Sequence, residues 1–371
     1  MAYRRDVFCE IAFLEELRDA TLVPYSDAEI INRNVYLFAQ KANLKLDVAN
    51  KNELATHCKN MDTSDLIFRL AKQFTEGVAK LSFSDEHQMP YVENLVGNVA
   101  ERVKYTYLLN KKEAVCKSYR ENYGVVVLSP DCWKDAQAQQ HQYLFGDCGQ
   151  SLKRWDEVDW PGIFKAEHNL SQCNAMVIID NHIFNNVEKG LGHLRRIFDV
   201  LLPKKLKDEF HVTILTAKNG QNENRNDEEL QRAIENCIRE LREEEHLKFK
   251  IDLYVESTTS SNEFHDRYIL TNNVRIMSGK GFGIINPPNR YGKSKANANT
   301  TISILHPGIQ SFAPMADDDY LVLRTNVYEK VVNCKTQGQW LHYPTGERCT
   351  NRLILSMEPS EPNANDTKSY K

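Results

Sequence analysis

Residues 175–217 read AMVIIDNHIFNNVEKGLGHLRRIFDVLLPKKLKDEFHVTILTA, two short apolar runs with an amphipathic segment between them. The runs AMVIID (175–180) and FHVTILTA (210–217) have the length and the β-branched content of buried strands. Between them, large apolar residues recur every three or four positions up to Pro203, which predicts one helix that stops at the proline. A strand, a helix and a second strand in this order predict a sheet covered by helices.

The same pattern continues toward the C-terminus. The segment NDEELQRAIENCIRELREEE (226–245) has apolar residues at helical spacing and acidic residues at its start, where the helix dipole stabilises negative charge. FKIDLYVE (249–256) and HDRYILT (265–271) are further predicted strands. Residues 161–357 are therefore predicted to form an α/β domain with a sheet flanked by helices.

Residues 1–160 are predicted to form a separate, helix-rich α/β domain. Its clearest unit is a strand, a helix and a strand within KYTYLLNKKEAVCKSYRENYGVVVLSPD (104–131). The polar stretch at 136–162 places the domain boundary near residue 160. Residues 358–371, EPSEPNANDTKSYK, contain two prolines and no large aliphatic side chain, which predicts a disordered tail.

The composition is that of a globular protein, with 41% hydrophobic and 26% charged residues and a net charge of −4. This charge excludes a global basic field, so any contact with nucleic acid must be local. Nine cysteines without a CxxC pair indicate reduced, packed thiols, and neither a metal nor a cofactor is predicted. No apolar stretch approaches the roughly 20 residues that span a bilayer. Without a signal-peptide pattern either, we expect a cytoplasmic protein.

The stretch EFHDRYILTNNVRIMSGKGFGII (263–285) carries the most specific motif. It resembles the His-x-Lys-x4-Asp motif of the phospholipase D-like superfamily, in which a histidine attacks a phosphodiester and the lysine holds phosphate oxygens. The corresponding residues here are His265, Arg267 and Asn272, with Gly279 at the family's glycine position. Arginine still binds phosphate through its planar guanidinium. Asparagine cannot supply the negative charge that stabilises an imidazolium.

A narrower resemblance, over residues 174 to about 310, is to the phospholipase D-like domain at the C-terminus of MIT-domain proteins. The matching elements are Asp180-Asn181-His182, Leu215-Thr216, His265-Asp266-Arg267, Asn272 and Gly279-Lys280-Gly281. The resemblance implies binding of phosphoinositide headgroups or membranes without hydrolysis. The present chain has no recognisable microtubule-interacting bundle. Similar His-Asp-Arg domains in bacterial proteins imply a nuclease or defence setting instead.

A phosphate-binding site is therefore predicted in the second domain. The catalytic candidates are His265 and Arg267, with Asn272 as the hydrogen-bond partner of the histidine. No acidic residue occurs from Arg267 to Ala316, whereas six cations do, which indicates an anion-binding surface. The predicted phosphate ligands are Arg267, Arg275, Lys293 and the turn Gly279, Lys280 and Gly281, whose N–H groups could form an anion-binding nest. Asp180, His182 and Glu263 are predicted to support the site.

Three functions stay open from the sequence. The first is recognition of nucleic acid, with weak or lost metal-independent phosphodiesterase activity, which would need a homodimer to supply two histidines. The second is binding of anionic lipid, and the third is a scaffold or regulatory role.

The first domain weakly resembles PIN-like nucleases, whose metal site would need clustered acids. The candidates are Asp6, Asp65 and Asp131. The tryptophans Trp133, Trp155 and Trp160 are predicted to pack between the domains.

Overall fold

A computed structural model describes residues 6–20, 39–40, 42–59, 61, 65–83, 105–134, 150–164, 172–218, 224–243, 248–257, 267–286, 293–305, 323–329, 338–340 and 351–355. These residues form two α/β units, each built on one sheet. The predicted tail at 358–371 lies outside the described residues, and so do Glu263 and His265.

The first unit is a five-stranded parallel sheet with strand order β3-β2-β1-β4-β5. Its elements are β1 (Asp6–Cys9), α1 (Ile11–Ala20), β2 (Asn43–Leu46), α2 (Lys51–Thr56), α3 (Leu66–Thr75), β3 (Lys80–Phe83), β4 (Tyr105–Leu108), α4 (Glu113–Tyr123), β5 (Val126–Leu128) and α5 (Pro130–Lys134). This order matches the first five strands of a doubly wound sheet.

Alternating side chains of the first sheet enter two separate cores. Val7 and Cys9 of β1 pack with α1 and α3 on one face. Phe8 and Tyr107 pack on the other face, where α4 contributes Cys116. The period of two along each strand produces this division. Because helices cover both faces, the unit has the layered architecture of α/β proteins.

The second unit is an eight-stranded mixed sheet with strand order β13-β9-β8-β7-β10-β11-β12-β6. Its strands are β6 (Gln150–Leu152), β7 (Ala175–Ile179), β8 (Phe210–Lys218), β9 (Phe249–Ser257), β10 (Arg267–Thr271), β11 (Arg275–Ser278), β12 (Thr300–Leu305) and β13 (Gly338–Trp340). Its helices are α6 (Trp160–Ile163), α7 (Val187–Leu201), α8 (Asp227–Arg242), α9 (residues 323–329) and α10 (Arg352–Leu355).

The strands β7, β8 and β9 are parallel, and their direction defines the two edges used below. We call the edge where these three strands begin the amino edge and the edge where they end the carboxyl edge. Strand β10 is antiparallel to β7 and therefore begins at the carboxyl edge. Strand β11 is antiparallel to β10 and ends there. Side chains far apart in the chain thus meet at the carboxyl edge.

Helix α7 shows how the local sequence produces the helical layer on one face of the second sheet. Asn186 caps its start by accepting a hydrogen bond from the Lys189 N–H. Its buried face includes Leu194, Ile197 and Phe198, which pack with α8 against the sheet. The helix ends at Leu201, two residues before Pro203, as the sequence predicts. The opposite face of the sheet is covered by Leu323, Val327, Leu353 and Ile354 from α9 and α10.

The predicted α/β architecture is confirmed, with one parallel and one mixed sheet. Strand β6 belongs to the second sheet although it precedes residue 160, where the sequence placed the boundary. Within the part of the chain that the structure describes, no helix is both long enough and apolar enough to cross a bilayer.

Candidate functional site

Four polar residues form one row across adjacent strands at the carboxyl edge. Ile179 pairs with Leu215 of β8 and with Tyr268 of β10. Continued by one residue, this register sets Asp180 between Thr216 and Arg267. Arg267 in turn pairs with Ser278 of β11. The sequence separates these residues by up to about a hundred positions, and the sheet brings them together.

Asp180 is buried and organises this edge through its carboxylate. Its Oδ1 accepts the N–H of His182 at 2.9 Å, and its Oδ2 accepts the N–H of Phe282 at 2.9 Å. Burial raises the pKa of Asp180, and the two backbone hydrogen bonds and the charge of Arg267 oppose this rise. Asp180 therefore links the end of β7 to the turn that follows β11.

The turn after β11 closes around the Asp180 carboxylate. Gly281 has a φ of 85°, and a Cβ on it would lie 2.8 Å from Asp180 Oδ2. Ser278 Oγ donates to the Gly281 carbonyl at 2.6 Å, which holds the turn in place. Only glycine fits this position, because the backbone is left-handed and the carboxylate fills the space of a side chain.

The predicted anion-binding nest is not formed by all three residues of the turn. The N–H of Gly279 donates to Thr301 and that of Gly281 donates to Ser278, both at 3.4 Å. What the turn offers to a ligand is the exposed side chain of Lys280. The half-buried Arg267 lies beside it and donates from Nη1 to the Gly279 carbonyl at 3.5 Å.

Two buried hydrogen-bond donors at this edge were not among the predicted site residues. Thr216 is 1% exposed, and its Oγ1 has no hydrogen-bond partner among the described residues. Arg225 donates from Nε to Asp227 at 2.7 Å and from Nη1 to the Ala217 carbonyl at 3.4 Å, but its Nη2 has no such partner within the described part of the chain. Buried donors normally have partners, so these two atoms are unsatisfied within the described fold.

Trp155 is exposed rather than packed between the units, contrary to the prediction. It follows β6 and is 59% exposed, with the Arg154 guanidinium 4.7 Å from its ring centroid. Its φ of 78° is left-handed, which is uncommon for a bulky residue and concentrates at functional sites. Trp160 is fully buried, but it lies in the core of the second unit, where it stacks on Phe164 at 5.1 Å, and its predicted packing between the units is not observed. The side chain of Trp133 lies outside the described residues.

Asn272 does not lie in the row that contains Arg267. It follows the far end of β10, five residues and roughly 17 Å from Arg267 at about 3.3 Å per residue. Its Oδ1 accepts the N–H of Asn174 at 2.7 Å and the N–H of Ala175 at 3.1 Å. This amide oxygen therefore anchors the start of β7 at the edge opposite Arg267, and the predicted bond to His265 stays a prediction because His265 lies outside the described residues.

Two predicted phosphate ligands also lie elsewhere. Arg275 is buried at the start of β11, at the amino edge, where it pairs with Leu270 and Leu305. Lys293 donates to Glu157 at 2.8 Å, and this hydrogen bond lowers the pKa of the Glu157 carboxyl. The cations of the segment without acidic residues (267–316) therefore do not form one basic surface. Among those that the structure describes, only Arg267 and Lys280 lie at the carboxyl edge.

The remaining predicted residues are only partly described. His265 and Glu263 lie outside the described residues. His182 is exposed, and its backbone N–H, not its ring, bonds Asp180.

The three acids nominated in the first unit are separate. Asp6 starts β1, Asp65 caps α3 and Asp131 lies in α5 after β5. The described residues contain no cluster of three or more metal-binding side chains.

The described cysteines are free thiols, as the sequence predicts. Burial raises the pKa of Cys116 to about 12 and that of Cys237 to about 11. These thiols are therefore neutral at physiological pH and behave as small apolar groups.

Comparison with protein-family models yields no match to the chain. Comparison with curated protein sequences yields none either.

Proposed function

We propose that this protein binds the phosphodiester backbone of nucleic acid at the carboxyl edge of its second sheet. The observation that carries the proposal is the pair of buried donors without partners, Thr216 Oγ1 and Arg225 Nη2, at the edge where Arg267 and Lys280 supply positive charge. Phosphate oxygens are strong acceptors and pair with guanidinium groups through charge-assisted hydrogen bonds. A phosphodiester group therefore satisfies the donors and neutralises the cations together.

The position of Trp155 favours a polymer over a single headgroup. In the strand order, β10 and β6 are separated by β11 and β12, so Arg267 and Gln150, the β6 residue in register with it, lie roughly 14 Å apart at about 4.8 Å per strand. Trp155 follows the end of β6 and is farther along. One phosphate cannot reach both places, whereas a nucleic-acid strand can. An exposed tryptophan beside cations is the arrangement on which successive bases stack.

The phospholipase D-like resemblance adds a proposed chemistry to this binding. His265 would be the nucleophile for metal-independent cleavage, and Arg267 would hold the phosphate oxygens. A second histidine, as the general acid, would come from a partner subunit in a homodimer. Binding does not require this chemistry, so the two are tested separately.

The binding test uses fluorescence anisotropy with a labelled single-stranded oligonucleotide. Loss of the Arg267 guanidinium (Arg267→Ala) removes a charged hydrogen bond and should weaken binding by about tenfold or more. Trp155→Ala should weaken it by about fivefold to a hundredfold, as loss of one stacked base does. Arg232→Ala is the matched control, because Arg232 is an exposed arginine on α8 whose partner is Glu228. Unchanged affinity in Arg267→Ala would contradict the proposed site.

A second variant separates ligand binding from folding. Thr216→Val replaces a buried hydroxyl that lacks a partner with an apolar group of the same shape. Folding stability should be unchanged or slightly higher, because an unsatisfied polar group is removed. Affinity for the oligonucleotide should fall severalfold, because the ligand loses one donor. Equal affinity in both proteins would show that the hydroxyl does not face the ligand.

The lipid alternative and the cleavage proposal are resolved in the same system. Vesicles of phosphatidylcholine with a phosphoinositide should compete poorly with the oligonucleotide, and better competition would favour a lipid headgroup. Cleavage is assayed in excess EDTA with the wild type and His265→Ala. Product from the wild type alone would support the histidine mechanism, and absence of product from both would leave a binding protein.

A further inference from the structure

A cavity of about 390 Å³ lies between the two units, away from the carboxyl edge. One wall is α4 of the first unit, and the other is the segment that follows α7 in the second unit. Gln172, shortly before the start of β7, also lines it, which places the cavity at the amino edge. Its volume falls in the range of pockets that bind small molecules.

The lining of this cavity is basic in a chain whose net charge is −4. The charged lining residues are Lys117, Arg120, Lys204, Lys205 and Glu121. Lys205 pairs with Glu121 at 3.2 Å, and Arg120 pairs with Glu113. Lys117 and Lys204 are exposed and form no ion pair within the described part of the chain. Two positive charges therefore remain on opposite walls of the cavity.

The separation of the two walls is fixed by contacts at the ends of α4 and β7. The Lys207 N–H donates to the Asn122 carbonyl at 2.9 Å, and Asn174 Nδ2 donates to the Tyr123 carbonyl at 3.2 Å. Gly124 has a φ of 62°, and a Cβ on it would lie 2.3 Å from the Cys173 carbonyl oxygen. These contacts preform the cavity, so a ligand need not pay for drawing the two units together.

The helix ends that flank the cavity do not repel an anion. A helix C-terminus carries partial negative charge on its last carbonyls. At the end of α7, Arg242 Nη2 donates hydrogen bonds to these carbonyls. The distance is 2.7 Å to the Leu202 oxygen and 3.4 Å to the Phe198 and Asp199 oxygens. Arg242 is buried, so it brings a positive charge to this end. The last carbonyls of α4 accept the bonds of Lys207 and Asn174 described above.

We propose that this cavity binds a phosphorylated ligand of nucleotide size. Lys117 on one wall and Lys204 on the other contact the phosphate, and the apolar lining residues Val200, Leu202 and Pro203 contact a ring. The inference does not depend on the nucleic-acid site, because the two places lie at opposite edges of the second sheet. A ligand here would bridge the two units.

The test is isothermal titration of the full chain with AMP, and with inorganic phosphate as the anion without a ring. AMP should bind more tightly than phosphate, because it also contacts the apolar residues. Lys117→Glu and Lys204→Glu should each weaken AMP binding by about tenfold or more, because each removes a charged contact and adds a repulsive one. Lys51→Glu is the control, since Lys51 is an exposed lysine in the first turn of α2, remote from the cavity.

A measurement on the wild type removes any dependence on the folding of the variants. AMP should slow acylation of Lys117 and Lys204 by an activated ester, read by peptide mass spectrometry, and leave Lys51 unaffected. Arg267→Ala should bind AMP as the wild type does. The AMP test therefore gives the same answer whether or not nucleic acid binds at the carboxyl edge. Absence of AMP binding, or binding that neither lysine variant weakens, would overturn the proposal. The proposal would also be overturned if an oligonucleotide bound more tightly than AMP and if that binding required Lys117 and Lys204.

Discussion

The two edges of the second sheet carry polar residues of similar kinds but use them differently. At the amino edge the amide oxygen of Asn272 accepts the backbone N–H groups of Asn174 and Ala175 at the start of β7, and Asn351 Nδ2 donates to the Met176 carbonyl at 3.0 Å. His211 of β8 is bonded by the backbone N–H of Arg352 at 3.1 Å and lies 3.0 Å from its guanidinium. These contacts hold strands and helices in register. The polar groups of the amino edge are therefore parts of the fold.

At the carboxyl edge the corresponding groups are charged or lack partners. Thr216 Oγ1 and Arg225 Nη2 are buried donors without hydrogen-bond partners among the described residues. An unpaired buried atom at the amino edge, Asn174 Oδ1, is instead an acceptor and cannot bind an anion. Arg242 Nε, near the end of α7 on the amino side, is also a buried donor without a partner among the described residues. The carboxyl edge is therefore distinguished by the combination of such donors with the exposed Lys280 and the half-buried Arg267.

The largest expected effect comes from the two glycines that contact opposite ends of β7. Gly124→Ala places a Cβ 2.3 Å from a backbone oxygen at the amino edge and should lower the free energy of unfolding by about 4 kcal/mol. Gly281→Ala meets only the Asp180 side chain and should cost about 2 kcal/mol, with loss of oligonucleotide binding. Urea unfolding measures both. Gly192→Ala, in open space on α7, should be neutral or stabilising, and an equal loss there would contradict this reading.

Acid should destabilise the protein through a histidine that packs near the turn of the carboxyl edge. Burial lowers the pKa of His193, which lies 3.0 Å from the Arg196 guanidinium, from 6.5 to about 4. The unfolded chain binds the proton more tightly, so this stability is present above pH 6.5 and is lost as the pH falls toward 4. His193→Gln should reduce the loss between these pH values by about 3 kcal/mol in urea titrations. Parallel curves for the two proteins would refute this assignment.

Asn272 allows a direct test of the structural role of the amino edge. Asn272→Ala leaves two backbone N–H groups without their acceptor and should cost about 2 kcal/mol of folding stability. Asn272→Asp keeps Oδ1, the acceptor of both hydrogen bonds, and should retain most of the stability. Oligonucleotide affinity should be the same in both variants and in the wild type. If the Asn272→Ala protein were fully folded and still bound the oligonucleotide more weakly, Asn272 would be part of the binding site.

The smallest effect is expected at Lys293, which the sequence assigned to phosphate binding. Its partner Glu157 is solvent-exposed, and exposed ion pairs contribute little to stability. Lys293→Ala should change neither the urea midpoint nor oligonucleotide affinity beyond experimental error. A clear loss of affinity would extend the site to the segment that contains Lys293.

The strands and helices of the second unit follow closely from the sequence. The runs predicted at 175–180 and 210–217 are observed at Ala175–Ile179 and Phe210–Lys218, and the predicted helix between them is observed at Val187–Leu201. Burial on both faces makes these strands continuous apolar runs, which is the strongest local signal. The first unit was harder to predict, because its strands have only three or four residues.

The candidate site was only partly predictable. Arg267 and the turn at 279–281 lie together because they are near in sequence and share a hairpin. Asn272 and Arg275 were grouped with them by sequence proximity, although a strand carries residues five positions apart to opposite edges of the sheet. Arg225 and Trp155 gave no local signal, since burial of an arginine and exposure of a tryptophan depend on what packs around them.

By itself, the sequence determined the periodicity of the helices and strands and the chemical identity of the motif residues. These properties depend on neighbours a few positions away. The tertiary structure alone decided that Thr216, Asp180, Arg267 and Ser278 form one row, and that Thr216 Oγ1 and Arg225 Nη2 have no described partner. Strand order and register set these contacts, and both are fixed by packing between segments far apart in the chain.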